Sequence, residues 1–144
     1  MREKALTLLG LMRKANAIEI GEENTGAAVR EHAAKLVILA SDASENARKR
    51  AEGYVYGSKA LLLTVPFTKQ EISEHVGKPG CSMLALCDIG FADAFVRLLA
   101  QLSPTKYEEA AQLIGRRASE AKKRRLCRPE QQKNKTIGKR RNNA

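Results

Sequence analysis

The residues that could act as nucleophiles or bases in catalysis are few and poorly placed. The chain contains two histidines, His32 and His75, and both fall at predicted helix-surface or boundary positions. Cys81 and Cys87 flank an apolar run, where cysteine usually serves as a small apolar side chain. A thiol nucleophile needs a neighbouring base, and only His75 lies near Cys81 in sequence. The sequence therefore predicts a protein that is not an enzyme.

The spacing of residues also disfavours metal and nucleotide chemistry. The three cysteines lack the CxxC spacing of zinc sites, and their odd number disfavours a disulfide framework. Residues 21–26 have the outer glycine spacing of a phosphate-binding loop, but Ala27 and Ala28 replace its Lys and its Ser or Thr. Glu22 and Glu23 would repel a phosphate there. We predict no cofactor and no metal.

A strong excess of positive charge is the clearest indication of a partner. The 144 residues include 26 Lys or Arg and 16 Asp or Glu, for a net charge of +10. Residues 106–144 hold 13 basic and 4 acidic residues, whereas residues 1–105 are nearly balanced. A basic segment attached to a near-neutral domain is typical of proteins that bind polyanions, nucleic acid above all. The scarcity of aromatic residues disfavours a base-stacking platform.

Membrane insertion and export are both disfavoured. No apolar run approaches the about 20 residues of a membrane span, and charged residues interrupt the first turns where a signal peptide would be apolar. The basic segment also lacks the Leu, Phe or Trp face that inserts into a membrane surface. We therefore predict a cytoplasmic, monomeric protein with no membrane partner.

Alternating helices and strands must position these residues. Hydrophobic periodicity predicts helices over residues 3–16, 22–34, 42–56, 69–75, 88–102 and 106–126. Strands are predicted over residues 17–20, 36–40, 60–65 and 82–87. The last three strands are continuously apolar, which predicts burial on both faces. The predicted fold class is α/β, a three-layer α-β-α sandwich with a mixed central sheet of about four strands, plus a basic C-terminal helix and tail.

Local signals mark the ends of these elements. Asp42 or Ser44 is predicted to cap the third helix, and Asp88 the fifth. Ser103-Pro104 interrupts the alternation, so the α-β-α domain is predicted to span residues 1–103. A basic helix with a weak apolar stripe then covers residues 104–126, and a disordered basic tail covers residues 127–144.

The order of elements and several short segments resemble a known family. These segments are Leu9-Gly10-Leu11 with Arg13-Lys14, Ile20-Gly21 at the entry to a helix, Lys35–Ser44, Val76-Gly77-Lys78 and Asp88–Ala92. They make residues 4–102 similar to the kink-turn-binding ribosomal-protein superfamily, and within it to the bacterial YlxQ-like branch. The resemblance implies the α-β-α fold and an RNA-binding protein of ribosomes or other ribonucleoproteins.

The resemblance also implies where RNA would be contacted. Members of the superfamily place the start of the second helix against the sheared G·A pairs of a sharply bent RNA. At that helix Gly21 and Thr25 match the family's residues. Glu23 and Asn24 stand where Asn and Glu are expected, and Ala27 stands where Lys is expected. Helix-end amides and a cation suit this contact because a kink crowds phosphates together.

Further RNA contacts are predicted outside the start of that helix. Arg30 lies one turn beyond Ala27 and is the candidate replacement for the missing Lys. A second RNA-contacting loop of the family maps onto residues 77–80, where Lys78 is the only cation and is followed by Pro79 and Gly80. Sequence-independent phosphate contacts are predicted for Arg116, Arg117, Lys122, Lys123, Arg124, Arg125 and Lys139–Arg141.

Two functions follow from these features. The first is a non-catalytic RNA-binding protein associated with ribosomes or another structured RNA, in which the domain reads shape and the basic segment adds affinity. The second is a protein–protein adaptor with the same fold, whose basic tail is a non-specific polyanion anchor. A contiguous exposed apolar patch on the folded domain would favour the adaptor.

Overall fold

A four-stranded mixed sheet lies at the centre of the fold. A computed structural model describes residues 2–79 and 81–127, with the backbone alone for residues 125–127. The strands are β1 (Ile18–Ile20), β2 (Leu36–Leu39), β3 (Leu61–Thr64) and β4 (Met83–Leu86), in the spatial order β1-β4-β2-β3. Strand β4 is antiparallel to both of its neighbours, and β2 is parallel to β3. The predicted α/β class and mixed sheet are confirmed.

Helices cover both faces of the sheet. They are α1 (Arg2–Lys14), α2 (Glu22–Arg30), α3 (Glu45–Val55), α4 (Lys69–Val76), α5 (Ile89–Leu102) and α6 (Pro104–Cys127). Buried side chains form one core cluster with α1, α4, α5 and α6 on one face, and a smaller cluster with α2 and α3 on the other. Burial on both faces is what the continuous apolar runs of β2 and β4 require.

The edge strand β3 corrects one expectation from the sequence. Every residue of β2 and β4 is at most 1% exposed, as their apolar runs predict. The apolar run of β3 predicts the same burial, but each of its residues is only partly buried. The reason is its place at the end of the strand order, where β2 pairs with it on one side and the other side has no strand among the described residues.

The helix starts confirm both predicted caps, and of the alternatives Asp42 and Ser44 the structure selects Ser44. Ser44 and Asp88 accept hydrogen bonds from the backbone N–H groups of Ala47 and Phe91, at the starts of α3 and α5. Asp42 does not cap α3, because its carboxylate accepts instead from the N–H of Lys69 at 2.9 Å. The end of α2 comes at Arg30 rather than at the predicted Ala34.

Two further helix ends have local causes. The start of α4 has a reciprocal cap, and the end of α2 is followed by a left-handed residue. Thr68 and Glu71 form a capping box at α4 that was not among the predicted caps. Past the end of α2, His32 has φ of 62°, in the left-handed region where an α-helix cannot continue.

The first half of α6 packs into the main core. Tyr107 and Ile114 are 1% and 0% exposed, although the sequence predicts only a weak apolar stripe on this helix. The Tyr107 hydroxyl donates to the carbonyl of Thr64 at 2.7 Å, which ties α6 to the edge strand β3. Ser103-Pro104 is thus a tight turn between two packed helices, α5 and α6.

We expect Ile114→Ala to lower the free energy of unfolding by about 2–5 kcal/mol, because it opens a cavity in a fully buried site. Ile114→Val removes one methylene and should cost about 0.5–1.5 kcal/mol. Chemical denaturation of the full chain measures both. A cost for Ile114→Ala no larger than that for Ile114→Val would contradict the packing of α6 on the core.

A histidine between α1 and α4 makes stability depend on pH. His75 Nδ1 lies 3.0 Å from the Glu71 carbonyl and Nε2 lies 3.3 Å from the Glu3 carboxylate. The backbone contact and, after it, Glu3 raise the pKa of His75, against an opposing effect of burial. A raised folded-state pKa gives stability that is complete below about pH 6.5 and is lost as the pH rises through the folded-state value.

We therefore expect the free energy of unfolding of the wild-type chain to fall, relative to that of His75→Gln, as the pH rises from about 6 to about 8. The measurement is urea denaturation of both proteins at several pH values. Parallel pH profiles for the two proteins would show that His75 has the same proton affinity in the folded and unfolded chains.

Candidate nucleic-acid interface

The sheet topology brings the two predicted RNA-contacting segments to one edge. Strand β1 is antiparallel to β4, with Ile20 opposite Leu84, so β1 ends where β4 begins. The N–H of Gly21 donates to the carbonyl of Met83 at 2.9 Å, which fixes the start of α2 beside the loop that enters β4. We call this the Gly21 edge, and the edge where β2 and β3 begin the opposite edge.

The start of α2 depends on a glycine. Gly21 has φ of 98° and ψ of 163°, a region of backbone conformation that is essentially restricted to glycine. Its carbonyl accepts from the N–H of Thr25 at 3.0 Å, the first hydrogen bond of the helix. Side chains cap the starts of α3, α4 and α5, but none caps α2. The first-turn amides of α2, with the positive end of its dipole, are therefore available to an anion.

Two of the side chains in this first turn are already engaged. Asn24 donates from Nδ2 to the carbonyl of Ile20 at 2.9 Å. Glu22 forms an ion pair with Arg50 of α3, and the hydrogen bond and charge of Glu22 raise the pKa of Arg50. This pairing offsets the negative charge of Glu22 next to the helix start. Glu23 is exposed and makes no ion pair within the described part of the chain.

The remaining predicted residues of α2 lie at different depths. Thr25 is fully buried, and its hydroxyl has no hydrogen-bond partner among the residues that the structure describes. Ala27 is half-buried. Arg30 is exposed but is the last residue of α2, about 12 Å along the helix from Glu22 at the usual rise per residue. The structure therefore does not bring Arg30 to the Gly21 edge.

The second loop is held at both ends. Gly77 closes α4 with φ of 72°, and the thiol of Cys81 donates to the carbonyl of Lys78 at 3.1 Å. Burial raises the pKa of the Cys81 thiol, which keeps it protonated as this donor. Between these anchors Lys78 and Pro79 are exposed. Gly80 lies outside the described residues.

Arg13 is a neighbour of this loop that was not among the predicted contact residues. Its Nη1 donates to the carbonyl of Val76 at 2.8 Å, and the same nitrogen lies 3.5 Å from where a side chain at Gly77 would begin. Arg13 therefore adds a second cation beside Lys78. Its position at the end of α1, 63 residues away in sequence from Val76, gave no sign of this proximity.

The basic residues of α6 lie elsewhere. Arg117 donates from Nη1 to the carbonyl of Lys59 at 2.5 Å, and Lys59 lies two residues before the start of β3 at the opposite edge. The other predicted cations on the same helix with described side chains, Arg116, Lys122, Lys123 and Arg124, are exposed. The side chain of Arg125, the cations Lys139–Arg141 and the predicted tail beyond Cys127 lie outside the described residues. The predicted site residues thus divide between two edges of the sheet.

Residues 2–79 and 81–127 show no sign of a metal centre or of a membrane span. No group of three or more His, Cys, Asp or Glu side chains there is arranged to hold a metal ion. No helix in this part of the chain has the length and apolar character needed to cross a membrane.

Comparison with known proteins identifies two similar curated proteins and a similar solved structure. The chain is 38% identical over 95 residues to "RNA-binding protein YlxQ" of Enterococcus faecium, covering 63% of this chain and 86% of that protein. It is 33% identical over 96 residues to "RNA-binding protein YlxQ" of Bacillus subtilis (strain 168), covering 64% and 91%. A solved structure of a protein of unknown function from Bacillus halodurans C aligns with a TM-score of 0.61 and 29% identity, covering 66% and 95%. No protein-family model matches the chain.

We expect Gly21→Ala to lower the free energy of unfolding by about 1–3 kcal/mol, because an L-residue is strained at this φ and ψ. No atom lies within 4 Å of the added Cβ, so the cost is one of backbone conformation and not of collision. Gly53→Ala, on the exposed side of α3, is the matched control and should stabilise by about 0.5–1 kcal/mol. If both substitutions stabilised the chain, Gly21 would not need the conformation described.

Proposed function

Because this chain belongs to the YlxQ family, we propose that it binds RNA and catalyses no reaction. Both curated relatives carry the name RNA-binding protein. The RNA that the family resemblance implies is a kink-turn or a similarly bent structured RNA, such as a segment of ribosomal RNA. The protein acts in the cytoplasm as a component of a ribonucleoprotein.

This proposal rests on the arrangement of residues at the Gly21 edge. The uncapped helix start is hydrogen-bonded through Gly21 to Met83, the first residue of β4, and the loop with the exposed Lys78 leads into that strand. Bent RNA presents closely spaced phosphates, which suit helix-end amides and cations. Lys78 and Arg13 supply the cations, and the pairing of Glu22 with Arg50 reduces repulsion.

The predicted residues other than Arg30 have these roles within the proposal. Gly21, Glu23, Asn24 and Ala27 form the surface that faces the G·A pairs, and Thr25, which is fully buried, supports it from below. Lys78, Pro79 and Gly80 form the loop that covers a flipped-out base. The cations of α6, from Arg116 to Arg125, add affinity through phosphates without reading sequence.

A protein–protein adaptor is the second candidate, and a groove between α1 and α5 favours it. Leu8, Leu11 and Leu98 line this groove, and Leu11 is 50% exposed. An apolar strip of this kind is a common feature of protein-binding surfaces. The adaptor needs no preference between RNAs of different shape, and this difference separates the two functions.

The test is a titration of a labelled kink-turn RNA and an equal-length plain duplex with the full chain, at about 50 mM and about 200 mM salt. We expect the kink-turn to bind about tenfold more tightly or better, equivalent to about 1.4 kcal/mol, at both salt concentrations. Equal affinities would remove kink-turn recognition from the proposal, and no binding to either RNA would favour the adaptor.

A gain-of-function variant sharpens this test at the Gly21 edge. Glu23→Asn with Ala27→Lys restores two residues of the family pattern, and we expect it to increase kink-turn preference further by about tenfold. Glu52→Asn with Gln101→Lys changes the net charge equally at exposed positions on α3 and α5, and should leave the preference unchanged. Equal gains from both variants would mean that net charge, and not the Gly21 edge, determines the effect.

A further inference from the structure

A groove of about 680 Å³ lies at the opposite edge of the sheet, away from the Gly21 edge. Strands β2 and β3 are parallel and both begin there, and β4 ends there because Leu36 lies opposite Leu86. The walls come from the turns that precede β2 and β3 and from the second half of α6. With strands of four residues at about 3.3 Å each, the two edges are at least about 10 Å apart. One phosphate therefore cannot contact both.

Positive charge dominates this groove. Its described lining includes Lys35, Lys59, Arg117 and Arg124, with Glu120 as the one carboxylate among those residues. Among the residues with described side chains, none of these four cations forms an ion pair. These cations come from three separate elements, so the charge density arises only when the chain folds. Asp88 directly precedes Ile89, which also lines the groove, but the Asp88 carboxylate accepts the hydrogen bond that caps α5.

Hydrogen bonds hold the segments that line the groove in place. The N–H of Lys35 donates to the Leu86 carbonyl at 2.8 Å, as a continuation of the sheet ladder. In the turn before β3, the Ser58 hydroxyl donates to Val55 at 2.8 Å and accepts from the N–H of Ala60 at 3.2 Å. The bond from Arg117 to the Lys59 carbonyl joins α6 to this turn. These hydrogen bonds fix the backbone that carries Lys35 and Lys59 and hold α6 beside it.

The side chains that line the groove indicate which ligand it accepts. Nucleobases stack mainly on Phe, Tyr, Trp or His, and protein interfaces are enriched in Phe, Tyr, Trp, Met and Arg. The described lining contains no Phe, Tyr, Trp or Met, and His32 is its one aromatic ring. A lining dominated by Lys and Arg favours contacts to phosphate, which do not distinguish sequence.

We propose that this groove is a second RNA site, which holds the phosphate backbone of a duplex or strand segment distinct from the one bound at the Gly21 edge. The second site rests on the proposed function, because its ligand is RNA. It assigns phosphate contacts to Lys35 and Lys59, which lie outside the basic C-terminal segment. It also makes the domain a bridge between two RNA segments on opposite edges of one sheet.

The test is the salt dependence of RNA binding by the full chain carrying Lys35→Gln and Lys59→Gln. Loss of two phosphate contacts should reduce the slope of log affinity against log salt by about 1.5, at about 0.7–0.9 per contact. The loss of affinity between about 50 mM and about 200 mM salt would then be about eightfold smaller than in the wild type. Kink-turn and plain duplex should be affected alike, so their affinity ratio stays at the wild-type value.

Lys4→Gln with Lys49→Gln is the matched control. Both lysines are exposed and lie on α1 and α3, outside the groove lining. Their substitution changes the net charge by the same amount as the groove variant does. The control should retain the wild-type slope. If Lys35→Gln impairs folding, Lys59→Gln alone, at an exposed position, should reduce the slope by about half as much.

The possible outcomes separate the second site from the proposed function. If the wild-type chain binds RNA and the groove variant has an unchanged salt slope, the second site is overturned and the proposed function stands. An acidic protein would then be the ligand that the groove's charge fits. Equal reductions in the groove and control variants overturn it in favour of overall charge. A wild-type chain that binds neither RNA overturns the proposed function and the second site together.

Discussion

Burial of the central strand pair on both faces is the constraint on which the rest of this structure depends. The eight residues of β2 and β4 are at most 1% exposed, so each face of the sheet must be covered by helices. With both faces of this strand pair covered by helices, the turns and helix starts at the two edges remain open. Every surface considered for RNA is therefore a set of turns and helix ends at an edge of the sheet, held in place by the ladder.

The two edges differ in how they attract an anion. At the Gly21 edge the first-turn amides of α2 are uncapped by its N-cap residue, which is a glycine, and can add to the charge of Lys78 and Arg13. A glycine at this position costs only a few tenths of a kcal/mol relative to a capping side chain. At the opposite edge the attraction comes from Lys and Arg side chains. Amide contacts depend on the shape of the ligand, whereas side-chain charges act over a longer range and are screened by salt.

Packing of α6 decides where the excess positive charge acts. Tyr107 and Ile114 hold the first half of the helix in the main core, and the bond from Arg117 to Lys59 places its second half against the opposite edge. The described part of the basic segment 106–144 is therefore packed against the domain. It combines with Lys35 and Lys59 from the near-neutral domain to form one cationic surface.

Much of the fold could be predicted from the sequence because its signals are local. Continuous apolar runs identified β2 and β4, and Ser44 and Asp88 identified the starts of α3 and α5, since caps act within one helical turn. Gly21 was singled out as a junction between a strand and a helix, and it has a conformation that glycine alone adopts readily. The resemblance to the YlxQ-like branch was likewise carried by short segments of the chain.

Only the tertiary structure decided which of these elements are neighbours. Periodicity cannot reveal strand order, so it overestimated the burial of β3 and underestimated the packing of α6. Arg13 meets the loop at Val76, and Lys59 meets Arg117, across long separations in the chain. These contacts exist because two helical layers must cover one sheet, and that requirement acts on the whole chain at once and not on any segment of it.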